Sequence, residues 1–299
     1  MFQIKHIQND ETRANYLELS NQKNNTYAKI YLDQGASLQD LVINKKIIIK
    51  NLNTSKYEDT YESSLLFPFA NRIKNGVYQF QNKTHKLDIN KIEENNAIHG
   101  LIYNKTFTIE EQQVSEKSAI VKLKYSEKNK TEGFPFKYDV ELTYILTVND
   151  LILTVLILNT DFESLPFSLG WHPYFYSNNL YNSSLSFDSD KKVSFDFNMI
   201  PNGIKDIDFG NKLLIKDNKF DDCFILNNNK ISFKTPDYKI DISSSTKNNY
   251  LQIYTPPNSN SVAIEPCTAP PDCFNNKIGI KVLNTKEKYQ LTWKIDLIH

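Results

Sequence analysis

Two residues with complementary acid–base chemistry each precede a proline. Glu265 ends the apolar run SVAIE before Pro266, and His172 lies in GWHPYF before Pro173. A proline restricts the preceding residue to an extended backbone, so both side chains project from constrained positions. At neutral pH a carboxylate can accept a proton and an imidazole can supply one. The pair is therefore a candidate for general acid–base catalysis.

Each of these residues also has a structural interpretation. A histidine beside Trp and Tyr is more often a hydrogen-bonded packing residue, and a glutamate at a strand end is usually solvated. Strand alternation favours the functional interpretation of Glu265, since it shares a face with the small Ala263 and not with Val262 or Ile264. No lysine or arginine lies near Glu265 in the sequence to neutralise it.

The preceding run, YLQIYT, adds a polar and aromatic face. Tyr250, Gln252 and Tyr254 alternate with Leu251 and Ile253, so the three polar residues share one side of the strand. Rings that stack and amides that hydrogen-bond are what a sugar site requires. An exposed sheet face has the same composition, so both interpretations stay open.

Three further segments carry candidate binding residues. Asn71 and Arg72 lie in FPFANRIKNG, and Arg72 is one of only two arginines in the chain. Arg72 could offer fixed donors to substrate oxygens or pair structurally with a carboxylate. His99 lies in NNAIHGLIY. In KFDDCF, either Asp221 or Asp222 could accept hydrogen bonds from two sugar hydroxyls; alternatively, these aspartates are turn residues. No HxH or HxxxH spacing predicts a metal site.

The elements that must position these residues are strands. Period-two alternation predicts a hairpin around Asn149–Asp150, a turn at Asn75–Gly76 and a central strand, LILTVLIL, covered on both faces. Further strands are predicted at 118–125, 192–197, 230–233, 239–244, 250–255, 261–265 and 289–298. One short helix is predicted around Ser63–Leu66. Many short strands without a linker predict an all-β sandwich or barrel forming a single domain, 1–299.

The bulk composition narrows the class of ligand. The 35 basic and 35 acidic residues cancel, and no basic block predicts a nucleic-acid partner. Three cysteines give no disulfide framework, and no apolar run reaches the length of a membrane helix. A cytoplasmic protein that binds a small molecule, with no membrane partner, is the expectation.

Five segments, taken in order, resemble the aldose 1-epimerases, also called galactose mutarotases. They are FPFANRIKNG (67–76), AIHG (97–100), GWHPYF (170–175), the looser KFDDCF (219–224) and EPCTAPPDCFNN (265–276). The resemblance implies a large antiparallel β-sandwich, the galactose mutarotase-like supersandwich, with a sugar cleft on one sheet. It also implies interconversion of α and β anomers without metal or cofactor, by a monomer or homodimer.

Carried over, the resemblance assigns a role to each matching residue. Glu265 would be the general base at the anomeric hydroxyl, and His172 the general acid at the ring oxygen. His99, Arg72, Asn71 and Asp221 would bind the sugar. The strand would end at Glu265, and the PPDCFNN segment (270–276) would fold as a loop along the cleft rim.

The identity of the sugar stays open. His99–Gly100 continues as LIYNKTF, unlike the glycine-rich or arginine-bearing continuations common in the family. A free hexose such as glucose or galactose is the expected substrate. The alternatives are a hexose-6-phosphate 1-epimerase, which reads the phosphate with arginines or a lysine, and a sugar-binding sandwich without turnover.

Overall fold

A computed structural model describes residues 1–9, 14–54, 56–210, 212–246 and 249–298. Its strands in chain order are β1 (Gln3–Asn9), β2 (Ala14–Asn21), β3 (Thr26–Tyr31), β4 (Ser37–Ile43), β5 (Lys46–Ile49), β6 (Leu65–Leu66), β7 (Arg72–Lys74), β8 (Val77–Phe80), β9 (Lys83–Lys86), β10 (Asn96–Ile98), β11 (Thr108–Val114), β12 (Ser118–Glu127), β13 (Tyr138–Thr147), β14 (Asp150–Asn159), β15 (Leu165–Phe167), β16 (Gly170–Trp171), β17 (Tyr174–Tyr176), β18 (Ser184–Phe187), β19 (Lys191–Phe195), β20 (Pro201–Asp206), β21 (Leu213–Leu214), β22 (Asp221–Ile225), β23 (Lys230–Lys234), β24 (Lys239–Ser244), β25 (Tyr250–Tyr254), β26 (Ser261–Cys267), β27 (Lys281–Leu283) and β28 (Lys288–Ile298).

Helix is scarce in the described part of the chain. Single 3-10 turns lie at Gln22–Asn24, Tyr57–Asp59, Ile92–Glu94 and Leu180–Asn182, and one α-helix, α1, spans Cys273–Asn276. None of these helices is long and apolar enough to cross a membrane.

The strands form two large antiparallel sheets. The larger runs β1-β2-β3-β4-β5-β17-β26-β25-β22-β19-β20, with β16 and β6 attached beside β26. The smaller runs β11-β12-β13-β14-β28-β24-β23-β18-β21. Two-stranded ribbons, β7 with β10, β8 with β9 and β15 with β27, complete the pairings. The predicted all-β antiparallel architecture is confirmed.

The two large sheets pack face to face over one apolar core. Trp171 of β16 stacks on Trp293 of β28 with ring centroids 6.0 Å apart, and Phe175 of β17 meets Phe233 of β23 at 6.2 Å. Side chains that point inward from both sheets belong to a single buried cluster. This cluster makes the fold a sandwich and leaves the opposite face of the larger sheet free to carry a cleft.

The predicted turns are present. β13 and β14 pair as a hairpin through Val148–Asn149, one residue before the predicted position. Asn75 and Gly76 have φ of 54° and 64°, the left-handed pair that a tight type I′ turn requires. A Cβ on Gly76 would lie 2.6 Å from the carbonyl oxygen of Leu87, so only glycine fits.

The helix predicted around Ser63–Leu66 is wrong. Ser63 has a φ of 54°, and Leu65–Leu66 form strand β6, which pairs with Gly170–Trp171. The backbone NH of Ser63 donates to the carbonyl of His172, and the NH of His172 donates to the carbonyl of Ser64. Pairing with a segment a hundred residues away therefore overrides the local pattern.

Two strand predictions need correction. β14 is central, between β13 and β28, but only alternate residues such as Leu153 and Val155 are buried, while Ile152 and Leu156 are half-buried. The outer face of β14 lines a surface groove together with long side chains such as Lys122. β26 does not end at Glu265 but continues through Pro266 to Cys267.

Candidate active site

A cleft of about 470 Å³ opens on the larger sheet. Its floor is built from adjacent strands, with Glu265 on β26, Gln252 and Tyr254 on β25, and Asp221 on β22. The walls come from the loop before β6, from β7 and β10 with the loops that flank them, and from His172 with the start of β17. Their lining residues are Glu58, Asp59, Thr60, Tyr61, Asn71, Arg72, Asn90, Lys91, Glu93, Glu94, Ile98, His99, His172 and Tyr174. All six candidate residues from the sequence are thus brought into one cleft.

Glu265 and His172 form a close pair at the floor. His172 Nε2 lies 3.4 Å from Glu265 Oε1, and the two residues are only 4% and 2% exposed. Glu265 Oε2 has no hydrogen-bond partner among the described residues. This arrangement leaves one buried carboxylate oxygen unsatisfied while the other faces the imidazole.

Burial shifts both members of the pair towards their neutral forms. Desolvation, with a smaller contribution from the charge of Asp221, raises the pKa of Glu265 well above its ordinary value, although Arg72 opposes this. Desolvation lowers the pKa of His172 to about 4. Both shifts bring the proton affinities of the carboxyl group and the imidazole closer together, which favours proton exchange between them.

Aromatic contacts fix the His172 ring. It stacks on Tyr174 with centroids 5.0 Å apart, and the edge of His99 meets it at 4.9 Å. Tyr61 packs on the other side of His99, also at 4.9 Å. The imidazole of His172 is thus oriented by packing, because its Nδ1 has no hydrogen-bond partner in the described structure.

His99 is placed by a strained backbone. Its φ is 66°, and its NH donates to the carbonyl of Asn71, which itself has a φ of 57°. Burial, then the positive potential from His172 and Arg72, lowers the pKa of His99 well below its ordinary value. A neutral imidazole therefore faces the cleft. Left-handed backbone at non-glycine residues tends to gather at functional sites.

The Arg72 guanidinium group donates hydrogen bonds to two neighbouring side chains. Its Nε and Nη2 donate to the two carboxylate oxygens of Glu94 at 2.5 and 2.9 Å, and its Nη1 donates to Asn71 Oδ1 at 2.8 Å. Its Nη2 also lies 3.6 Å from Asp221 Oδ2. Arg72 therefore holds Asn71 and Asp221 in place, with most of its donors already used.

The geometry distinguishes the two adjacent aspartates. Asp221 lines the cleft and accepts a 2.6 Å hydrogen bond from Gln252 Nε2. Asp222 points away from it and pairs with Lys192 Nζ at 2.5 Å. Burial raises the pKa of Asp221, Arg72 opposes the shift, and the nearby carboxylates of Glu94 and Asp222 add to it.

The segment after Pro266 does not follow the cleft rim as expected. Residues 266–273 are buried, and none of 266–276 lines the cleft. The NH of Asp272 donates to the carbonyl of Arg72, and Asp272 Oδ1 accepts from the NH of Lys74. The segment thus braces β7 behind Arg72. It runs beneath the site because its apolar residues join the core.

Sequence reasoning missed several residues of the cleft. Glu94 is the partner that fixes Arg72, and Tyr61 holds His99; Glu58, Asp59 and Lys91 stand on the walls. The acidic pair before His99, in KIEENNAIHG, was the available signal for Glu94. Its pairing with Arg72 depends on β7 and β10 being joined.

The described residues contain no cluster of side chains suited to bind a metal ion. No group of three or more His, Cys, Asp or Glu side chains there could hold an ion. The cysteines, Cys223, Cys267 and Cys273, are free and buried, and burial raises the pKa of each thiol.

Comparison with known proteins places the chain in a class and then in a family. It superposes on a galactose mutarotase-like protein from Clostridium acetobutylicum with a TM-score of 0.87 at 19% identity, over 100% of this chain and 98% of that one. A galactose 1-epimerase from Lactobacillus acidophilus NCFM gives a TM-score of 0.82 at 17% identity, over 100% and 98%. The fold is therefore galactose mutarotase-like.

The family follows from the sequence match. A model of the aldose 1-epimerase family matches residues 16–296, which is most of the chain. The chain belongs to the aldose 1-epimerase family, and the resemblance seen in its motifs is confirmed. The uncharacterised protein YihR of Escherichia coli K12 is 24% identical over 243 residues, covering 77% of each chain.

Proposed function

We propose that the protein is an aldose 1-epimerase that interconverts the α and β anomers of a free hexose such as glucose or galactose. The observation that carries the proposal is the buried pair of Glu265 and His172, 3.4 Å apart, in which burial raises the pKa of the carboxyl group and lowers that of the imidazole. Anomer interconversion requires one proton to leave the anomeric hydroxyl and one to reach the ring oxygen. A coupled acid and base in one cleft provides both transfers.

The reaction begins with the sugar on Glu265. Donation by the anomeric hydroxyl to the unpartnered Oε2 favours the carboxylate form of Glu265, and His172 Nε2, which faces Oε1, carries the proton that the ring oxygen will receive. Glu265 then accepts the hydroxyl proton while His172 protonates the ring oxygen, and the bond between that oxygen and the anomeric carbon breaks. The open aldehyde rotates, and reclosure returns both protons.

The remaining candidate residues bind and orient the sugar. His99, held neutral against His172, is placed to hydrogen-bond near the ring oxygen. Asp221, steadied by Arg72 and Gln252, accepts from a hydroxyl. Asn71 uses its carboxamide oxygen on Arg72, which leaves its amide nitrogen as the group that can donate to the ligand.

A phosphorylated sugar fits this cleft less well. Most donors of Arg72 are committed to Glu94 and Asn71, so they are not available to a phosphate. Lys91 is the other cationic residue in the lining, and its Nζ lies 3.8 Å from Glu93. Carboxylates outnumber cations around the opening, which repels an anion.

The test is mutarotation of freshly dissolved sugar. Optical rotation of α-D-glucose and of α-D-galactose is followed with the protein, with Glu265→Gln and with the surface control Glu116→Gln. We expect faster approach to equilibrium with the protein and the control, and a loss of about 10²- to 10⁴-fold in Glu265→Gln. Full activity in Glu265→Gln would show that the base is wrongly assigned.

The alternative of binding without turnover has its own signature. Calorimetric binding of either sugar, with no change in the rate of mutarotation, would identify a sugar-binding protein. No binding and no acceleration with either hexose, followed by acceleration with glucose 6-phosphate, would favour a hexose-phosphate epimerase instead.

A further inference from the structure

The floor of the cleft sets the direction in which a bound sugar extends. β26, which carries Glu265, lies between β17 and β25. His172 lies between β16 and β17 on one side, and Gln252 of β25 stands directly opposite Glu265 in register on the other. Side chains in such a register have Cβ atoms about 4.5–5.5 Å apart. Under the proposed function, a sugar with its anomeric hydroxyl on Glu265 and its ring oxygen towards His172 directs carbon 2 towards Gln252.

The polar groups on that side are mainly acceptors. Gln252 is 3% exposed, its Nε2 donates to Asp221 Oδ1, and its Oε1 is buried without a partner among the described residues. Asp221 Oδ2 lies 3.6 Å from Arg72 Nη2, beyond hydrogen-bond distance. A ligand group here meets unsatisfied acceptors and few free donors. A hydroxyl donates one hydrogen, whereas an ammonium donates three.

The charge of the cleft favours a cation as well. Six carboxyl groups and two cationic side chains line it, although the whole chain is balanced at 35 and 35. Glu58, Asp59 and Glu93 are exposed at the opening, and Arg72 is neutralised by Glu94 within. A cleft with an excess of one sign concentrates ligands of the opposite sign.

We propose that this cleft accepts 2-amino-2-deoxyaldoses, with the protonated 2-amino group held between Gln252 Oε1 and Asp221. The proposal rests on the proposed function and names its substrate class. Glucose fits the same position with a neutral hydroxyl, so the two sugars share one mode of binding and differ in one charge.

The test compares glucosamine with glucose. The catalysed rate of anomer exchange, corrected for the uncatalysed rate, is measured by NMR for each sugar at about pH 6 and about pH 9, either side of the usual titration of an α-amino group. We expect kcat/KM for glucosamine to exceed that for glucose by about three- to tenfold at the lower pH. The ratio should fall towards one at the higher pH and with added salt. Using a ratio cancels those titrations of the protein that affect both sugars alike.

Matched variants locate the effect. Asp221→Asn should bring the ratio at the lower pH to about one, while Asp222→Asn, whose carboxylate pairs with Lys192 outside the cleft, should keep it. If glucose is accelerated but the ratio is one at both pH values in the unmodified protein, the inference is overturned and the proposed function stands. If neither sugar is accelerated, both are overturned. The unmodified protein decides the matter even if Asp221→Asn does not fold.

Discussion

Protonation of His172 should cost the protein a large part of its stability in mild acid. The residue is 4% exposed, and burial lowers its pKa to about 4 from an ordinary value near 6.5. The unfolded chain therefore binds this proton before the folded protein does. The sign follows directly: the contribution is fully present above pH ~6.5 and is lost as the pH falls towards ~4.

The magnitude follows from these two values. At about pH 4.5, His172 is almost fully protonated in the unfolded chain but only about one-quarter protonated in the folded protein. The folded state is then less stable by about 2–3 kcal/mol than at about pH 7.5. That is a substantial part of the typical stability of a domain, about 5–15 kcal/mol. Replacement by glutamine removes the titration and keeps a polar side chain of similar size.

Urea denaturation of the unmodified protein and of His172→Gln at the two pH values measures this effect. Groups remote from His172 also titrate in this range, but they contribute equally to both proteins and cancel in the comparison. We expect the unmodified protein to lose about 2–3 kcal/mol more than the variant between the two pH values. Equal losses would refute the reasoning, because they would mean that His172 titrates alike in the folded and unfolded states.

Two further predictions concern the support of the site. Glu94→Gln removes the charge that neutralises buried Arg72, so we expect a loss of about 2 kcal/mol in urea denaturation and a raised KM with a smaller change in kcat. Unchanged stability and KM would show that Arg72 does not depend on Glu94. Gly100 has a φ of 75°, and a Cβ there would lie 2.2 Å from the carbonyl oxygen of Phe67. Gly100→Ala should therefore cost about 3 kcal/mol or more, against less than about 0.5 for Gly203→Ala, which meets no atom within 4 Å.

Local sequence signals were sufficient for most of the strands. Alternation predicted segments such as 239–244 and 289–298, which appear as β24 (Lys239–Ser244) and β28 (Lys288–Ile298). The Asn75–Gly76 turn was predictable because its left-handed backbone restricts the residue types that can form it. Period-two patterns are reliable wherever one face of a strand is buried and the other is not.

Predictions failed where long-range contacts decide the outcome. Ser63–Leu66 resembles a helix locally but is held by strand pairing with Gly170–Trp171. LILTVLIL is apolar on both faces, yet nothing in its own residues shows whether a second layer exists to cover it. Pro266 was expected to end a strand that continues to Cys267.

The sequence alone determined the all-β class and the short list of residues suited to acid–base and sugar chemistry, because residue type and spacing carry that information. Glu265, His172 and His99 were on that list because of the short motifs in which they lie. Only the tertiary structure brought Glu265 within 3.4 Å of His172 and buried both, and burial is what sets their proton affinities. It also selected Asp221 over Asp222 and joined Glu94 to Arg72. Such distances depend on which strands become neighbours, and that is a property of the whole fold.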